Sequence, residues 1–217
     1  MKPEIDKLTG LKSRKQFFKD FETLVKEGQS GGVPIASLAL LDIDFFGRLN
    51  DKHGEAIGDE IIIFLGKHLT QSLGGAGQVY RYGGEEFVLL FPGTEKEDAF
   101  LLMERVRSDY NQSRNYKAKG QEVTEVIGFS TGVSTYGEDG NLIEDVLRKA
   151  DDALYRAKET GRNKVCISRE EKMVPKTVHY TQGQLKRLSK LKEASGLADS
   201  VLLREALDDL LRKYKAS

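Results

Sequence analysis

Gln78-Val79-Tyr80-Arg81-Tyr82-Gly83-Gly84-Glu85-Glu86-Phe87-Val88-Leu89-Leu90-Phe91 is the stretch on which the fold turns. Two short runs rich in aromatic and branched residues flank a glycine pair, the signature of a β-hairpin. Upstream, Ile35 to Ile43 is an almost unbroken apolar run closed by Asp42 and Asp44. Such a run predicts a central strand buried on both faces. A helical stretch from Ala56 to Leu73 follows and is broken by Gly74-Gly75-Ala76-Gly77. Arg14 to Lys26 reads as an amphipathic helix carrying Phe17, Phe18, Phe21, Leu24 and Val25 on one side, and Gln29 to Pro34 as a loop. Beyond the hairpin the pattern predicts a helix from Glu95 to Ser113 and a strand from Val123 to Thr135. A helix from Leu142 to Lys158 and a closing strand from Val165 to Ser168 complete it. The order helix, strand, helix pair, hairpin, helix, strand, helix, strand implies an α+β domain with a mixed sheet covered by helices.

The chain has 217 residues, 39% of them apolar, enough for one full domain and a small appendage. No apolar run approaches the ~20 residues of a membrane helix, so no membrane partner is expected. Met1-Lys2-Pro3-Glu4 opens no secretory leader. The single cysteine, Cys166, excludes an intramolecular disulfide and a cysteine-built zinc site. Its setting, Val165-Cys166-Ile167, suits burial rather than reactivity. These features point to a soluble protein in the reducing cytoplasm. Net charge is zero, but residues 169–217 hold 11 Lys and Arg against 7 Asp and Glu, a net of +4 that leaves −4 on the preceding residues. An acidic body and a basic tail suggest two modules with different partners.

Asp42 falls at the end of the buried strand, and Glu85 and Glu86 on the hairpin turn. Strand ends and hairpin tips can meet at one edge of a sheet. Three acids converging there would repel unless cations neutralised them. Mg²⁺, with Mn²⁺ as the other option, meets that need through carboxylates, a backbone carbonyl and phosphate oxygens. Two such ions suit phosphoryl transfer. A solvated strand end and an acidic turn account for the same residues without any metal.

Five separated motifs extend the reading. They are Asp6-Lys7-Leu8-Thr9-Gly10-Leu11; Leu41-Asp42-Ile43-Asp44 with Asn50-Asp51; Gly58-Asp59; Arg81 to Phe87; and Ala150-Asp151 through Ala153 to Lys158 and on to Gly161-Arg162-Asn163-Lys164. In that order, residues 6–168 resemble the GGDEF family of diguanylate cyclases, whose fold is similar to a ferredoxin-like nucleotide-cyclase palm. The resemblance implies that Asp42, the Ile43 carbonyl and Glu85 hold Mg²⁺. It implies that Glu86 deprotonates a 3′-hydroxyl or adds to the metal site, Glu85 and Glu86 being the catalytic pair. Asn50 and Asp59 would read guanine. A carboxylate can accept from both the N1–H and N2–H donors of that base, and adenine presents no such pair. Lys158 and Arg162 would meet the triphosphate from one side of a helix end, and the backbone at Phe46 and Gly47 would approach the phosphates.

The departures from the family pattern are specific. The family usually has a lysine where this chain has Gly47, a histidine where it has Glu55 and an asparagine where it has Ser13. Arg48 stands next to the missing lysine, though a helical backbone would point it elsewhere. The Arg-x-x-Asp product-binding motif of many members is replaced at Gly74 and Gly77, so product inhibition through that site is expected to be absent.

Residues 169–175, ending at Pro175, read as a linker between a cyclase domain (1–168) and a module over 176–217. In that module Lys176 to Thr181 alternates, with Val178 and Tyr180 on one face and Thr177 and His179 on the other. Thr181 is placed to cap a helix carrying Leu185, Leu188 and Leu191. Gly196 ends it, and Asp199 or Ser200 starts another with Val201, Leu202, Leu203, Ala206, Leu207, Leu210 and Leu211. The pattern resembles the ribbon-helix-helix DNA-binding family. One strand and two short helices cannot bury their apolar faces alone, and two copies pairing through the strand would. That resemblance implies a homodimer, with Thr177 and His179 facing bases and Lys176 near phosphate. An appendage that only dimerises fits the same pattern.

Two functions compete. One is a dimeric cyclase making cyclic di-GMP from two GTP. The other is a DNA-binding regulator whose body binds GTP or a cyclic dinucleotide without efficient catalysis. Few residues precede Asp6, so no upstream sensory domain is expected.

Overall fold

A computed structural model describes residues 3–28, 35–169, 177–195 and 198–214. The chain divides into two units, Met1–Glu170 and Glu171–Ser217.

In the first unit, β1 (Lys12–Ser13) leads into α1 (Arg14–Gly28) and β2 (Ala36–Ile43). Two consecutive helices follow, α2 (Phe46–His53) and α3 (Glu55–Leu73). The hairpin is β3 (Gln78–Gly83) and β4 (Glu86–Pro92). After it come α4 (Lys96–Tyr110), β5 (Ser113–Ala118), β6 (Gln121–Val126), β7 (Phe129–Tyr136), α5 (Ile143–Glu159) and β8 (Val165–Ile167). Six strands form one mixed sheet in the order β1-β3-β4-β2-β7-β8, while β5 and β6 form a separate two-stranded sheet. The large sheet pairs antiparallel except at its two ends, β1–β3 and β7–β8.

The apolar run of β2 is explained by layers on both faces of the sheet. Ala39, Leu41 and Ile43 join Phe87, Leu89 and Phe91 in a core with Ile57, Ile61 and Leu65 of α3 and Met103 and Val106 of α4. Leu38 and Leu40 join Tyr80, Val88 and Leu90 in a second core with Phe17 and Phe21 of α1 and Val146, Ala150 and Leu154 of α5. A period-two strand between two helical layers buries both of its faces and is therefore mostly apolar.

Three local expectations are corrected. Ile35 lies outside β2 and is exposed. The helix expected to reach Ser113 ends at Tyr110, and Ser113 is instead the first residue of β5. The strand expected from Val123 to Thr135 is two strands in different sheets. Between them the Gly128 carbonyl accepts a hydrogen bond from Asp44 N at 3.0 Å, as the chain leaves the small hairpin for the main sheet. Strand propensity reports a half-buried pleated surface and carries no information on which sheet a residue joins.

In the second unit, α6 (Gln182–Ser195) and α7 (Asp199–Tyr214) pair. Thr181 caps α6: its Oγ1 accepts from Gln184 N at 3.3 Å, and Gln184 Oε1 accepts from Thr181 N at 2.9 Å. This is a reciprocal capping box. Thr177 to Thr181 forms no strand within the single chain, and Thr177 and His179 are exposed. Lys176 and Gly196 lie outside the described residues. Leu185, Leu191, Leu207, Leu210, Leu211 and Tyr214 are exposed. No described helix is long and apolar enough to cross a membrane.

Candidate active site

Sheet register assembles the acids. Asp42, the penultimate residue of β2, lies directly opposite Glu86, the first residue of β4, and opposite Ser130 of β7 on its other side. The hairpin turns through Gly84 and Glu85, with Gly84 at φ 37°, a region that favours glycine. Two carboxylates facing each other across adjacent strands are an unfavourable pair on their own. Lys158, near the end of α5, places Nζ 2.8 Å from Asp42 Oδ1. The Glu86 carboxyl is held above its ordinary range, first by burial and then by the Asp42 charge. Lys158 opposes this, and Asp151 and Glu85 add to it.

Arg162 does not accompany Lys158 as the helical spacing predicted. α5 stops at Glu159, and Arg162 N donates back to the Ala157 carbonyl at 2.9 Å across Gly161 at φ 113°. This Schellman-type end puts Arg162 in left-handed backbone (φ 59°) beyond the helix. Lys158 therefore goes to Asp42, while the Arg162 guanidinium stacks on the Phe45 ring, 4.6 Å from its centroid.

Asp44 anchors this loop, a role the residue pattern did not disclose. Its Oδ1 accepts from Ser130 Oγ at 2.7 Å and its Oδ2 from Asn163 N at 2.8 Å. Burial pushes its carboxyl up, against both of those hydrogen bonds. Arg107 of α4 donates to Asn163 Oδ1 at 3.2 Å from the other side. Asp42 and Asp44 are two residues apart, a spacing that puts both on one side of an extended chain. Nothing in the sequence pairs either with Ser130 or Asn163.

The four remaining expected positions lie on α2 and α3. Phe46 is buried, so only its backbone is available to a ligand. Gly47 has open space where a side chain would go. Asn50 packs against Gly58: its Oδ1 is buried without a hydrogen-bond partner, and a Cβ on Gly58 would lie 2.0 Å from it. An orphaned buried acceptor beside a glycine is the mark of a site shaped for a polar ligand. Asp59 is exposed one residue further along α3. Arg81 connects the two regions. Burial lowers its guanidinium, against the charges of Asp6, Asp59 and Glu85, and its Nε and Nη1 are buried without partners.

A groove of about 380 Å³ opens beside the acids. Asp44, Phe45, Arg48, Glu125, Gly128 and Arg162 are among its lining residues. Asp42, Asn50, Asp59 and Glu86 do not line it. Among the described residues no three His, Cys, Asp or Glu side chains gather closely enough to hold a metal by themselves. A hard divalent ion here would need ligands from outside the side-chain set. The expected donors, Asp42, Glu85, the Ile43 carbonyl and phosphate oxygens, fit that requirement.

An antiparallel palm between helical layers, with acids at a strand end and on the neighbouring hairpin, defines a nucleotide-cyclase fold. The family model "Diguanylate cyclase, GGDEF domain" matches residues 4–164, and the chain belongs to that family. It is 39% identical over 160 residues to the response regulator PleD of Caulobacter vibrioides, covering 74% of this chain and 35% of that protein. It is 33% identical to a diguanylate cyclase of Vibrio cholerae, covering 76% of this chain and 50% of that one. The chain thus spans half or less of these relatives' own length. Among solved structures, the GGDEF domain of DgcB from Caulobacter crescentus, in complex with c-di-GMP, superposes with a TM-score of 0.68 at 28% identity, covering 77% of this chain and 98% of that one. The active GGEEF domain of a Vibrio cholerae diguanylate cyclase superposes at 0.64 with 31% identity, covering 73% and 98%.

Proposed function

We propose that this chain condenses two GTP into cyclic di-GMP, with release of two pyrophosphates, as a cytoplasmic homodimer. The observation that carries the reading is Asp42 opposite Glu86 across β2 and β4, with Glu85 on the turn and Lys158 as the one ion-pair partner of Asp42 among the described residues. Each protomer holds one GTP. The 3′-oxygen of one nucleotide attacks the α-phosphorus of the other, its proton passes to Glu86, and the bond to pyrophosphate breaks. A carboxyl held above the ordinary range is the better base near neutral pH. Asp42, Glu85 and the Ile43 carbonyl are the residues that would hold Mg²⁺, which supplies charge stabilisation at the phosphates. Asn50 and Asp59 read the guanine edge; Lys158, Arg162 and the backbone at Phe46 and Gly47 position the phosphates.

Incubation with Mg²⁺ and either GTP or ATP, followed by chromatography, tests this. Cyclic di-GMP from GTP and no cyclic dinucleotide from ATP is expected. A protein that binds GTP yet yields no dinucleotide would favour the regulator reading instead. Gly58→Ala tests the guanine assignment, because its Cβ would displace the Asn50 carboxamide. We expect KM for GTP to rise about tenfold, with the melting temperature changed little.

The tail is proposed to dimerise and bind DNA. Its support is the capped helix pair and the row of exposed leucines, which a second copy would cover. Tethering two cyclase domains raises their effective concentration. Deleting residues 175–217 is expected to lower specific activity at dilute protein, with partial recovery as concentration rises; equal activity at all concentrations would refute this. For DNA, salt-sensitive retardation of a duplex by the full chain is expected, weakened by Thr177→Ala with His179→Ala. Unchanged retardation in that variant would remove those residues from the interface.

A further inference from the structure

Phe45 is an unusual residue for its position. It is the N-cap of α2 with left-handed backbone (φ 59°, ψ 25°), and the residue is 52% exposed. A bulky residue seldom adopts that conformation without a reason imposed by its surroundings. Two guanidinium groups share the ring: Arg162 at 4.6 Å from its centroid and Arg48, from the first turn of α2, at 5.2 Å. A helical backbone by itself would aim Arg48 away from Gly47. The position is helical, and the left-handed Phe45 brings its ring beneath Arg48 all the same.

Two like charges gathered on one aromatic surface call for an anion. The carboxylates of the groove are already engaged. Asp44 accepts from Ser130 and Asn163 N. Glu125 pairs with Lys52 and His53, each at 2.7 Å. Among the described residues neither Arg48 nor Arg162 has a carboxylate ion-pair partner. Beside them Gly47 leaves open space, and α2 begins without a side-chain cap, which leaves its first N–H groups without a side-chain acceptor. A planar guanidinium suits phosphate oxygens.

We propose that Arg48 is a phosphate-binding residue, closing with Arg162 across Phe45 on the outer phosphates of the nucleotide. The proposal rests on the reading of the chain as GTP-using and adds a residue to it. Phe45 acts as the positioning surface that holds both guanidinium groups, and the space at Gly47 is where the phosphates pass. The α-phosphate is not touched by this pair, so nucleoside monophosphates are indifferent to it.

Calorimetric titration of the full chain with a GTP analogue whose α–β bridge cannot be cleaved, and separately with GMP, tests this. Arg48→Ala is expected to weaken the analogue about tenfold and leave GMP unchanged. Adding Gly47→Lys to Arg48→Ala should restore most of the loss, since that position has room for a side chain. Equal binding of the analogue by Arg48→Ala and the parent chain would overturn the proposal, as would an equal loss for GMP. Failure of the parent chain to bind the analogue at all would instead overturn the GTP reading. A thermal melt of each variant separates lost binding from lost folding.

Discussion

Glu86→Gln is expected to lower cyclic di-GMP formation by about 10³-fold while raising thermal stability at pH 7. The amide keeps the shape and the ladder position opposite Asp42 but cannot take the 3′-hydroxyl proton, and general-base contributions run to about 10²–10⁴. The stability effect has the opposite sign because the Glu86 carboxyl faces Asp42 across the two strands at the cost of repulsion. Its carboxyl lies above the ordinary 4.5, through burial and the Asp42 charge. The folded chain therefore holds this proton more tightly than the unfolded chain does. That contribution is fully present below the unfolded value and is lost as pH rises through the raised folded value. At pH 7 the parent chain carries the penalty and the amide does not. The melting temperature of Glu86→Gln should exceed the parent's at pH 7, measured with a chelator present, and the gap should close as pH falls below the folded value. A variant that is inactive and also less stable at pH 7 would mean that Glu86 is a structural acid.

Gly132→Ala is expected to destabilise the domain by about 3 kcal/mol. Gly132 sits mid-strand in β7, with Leu40 of β2 on one side and Cys166 of β8 on the other. A Cβ there would lie 1.9 Å from the Ala150 carbonyl oxygen and 2.4 Å from Leu154 N, both backbone atoms of α5. No side-chain rotation relieves such a contact, so the helix must lift from the sheet. Ala150, Ala153 and Ala157 are all buried, small residues along the helix that keeps this approach. Because α5 also carries Lys158 to Asp42, the shift should reduce activity as well as the urea midpoint. Gly183→Ala, with open space around it, is the control and should leave the midpoint unchanged or higher. An unchanged midpoint for Gly132→Ala would show that α5 is free to move.

Much of the fold was readable because the periodicities are local. The run ending at Asp42 announced a strand buried on both faces, and it lies between two helical layers. The paired glycines announced the hairpin. The errors fell where composition is silent on partners. The run from Val123 to Thr135 is rich in strand formers throughout, but its first part pairs with β5 and its second with β2. The polar β5, with Tyr116 as its buried residue, carries too little apolar alternation to be distinguished from a helix end.

The candidate site divides along the same line. Motif order alone placed the chain in its family and picked out Asp42, Glu85, Glu86, Asn50 and Asp59. What needed the tertiary structure was every relation between residues far apart in the chain. Those relations are Asp42 facing Glu86, Lys158 parting from Arg162 to reach Asp42, Asp44 holding Asn163, and Arg48 meeting Arg162 on Phe45. Propensity and periodicity act over a few residues, whereas strand register and helix packing set distances between groups dozens of positions apart. For that reason the sequence named the candidate acids, and only the folded chain decided that Asp42 faces Glu86 and that Lys158 meets Asp42.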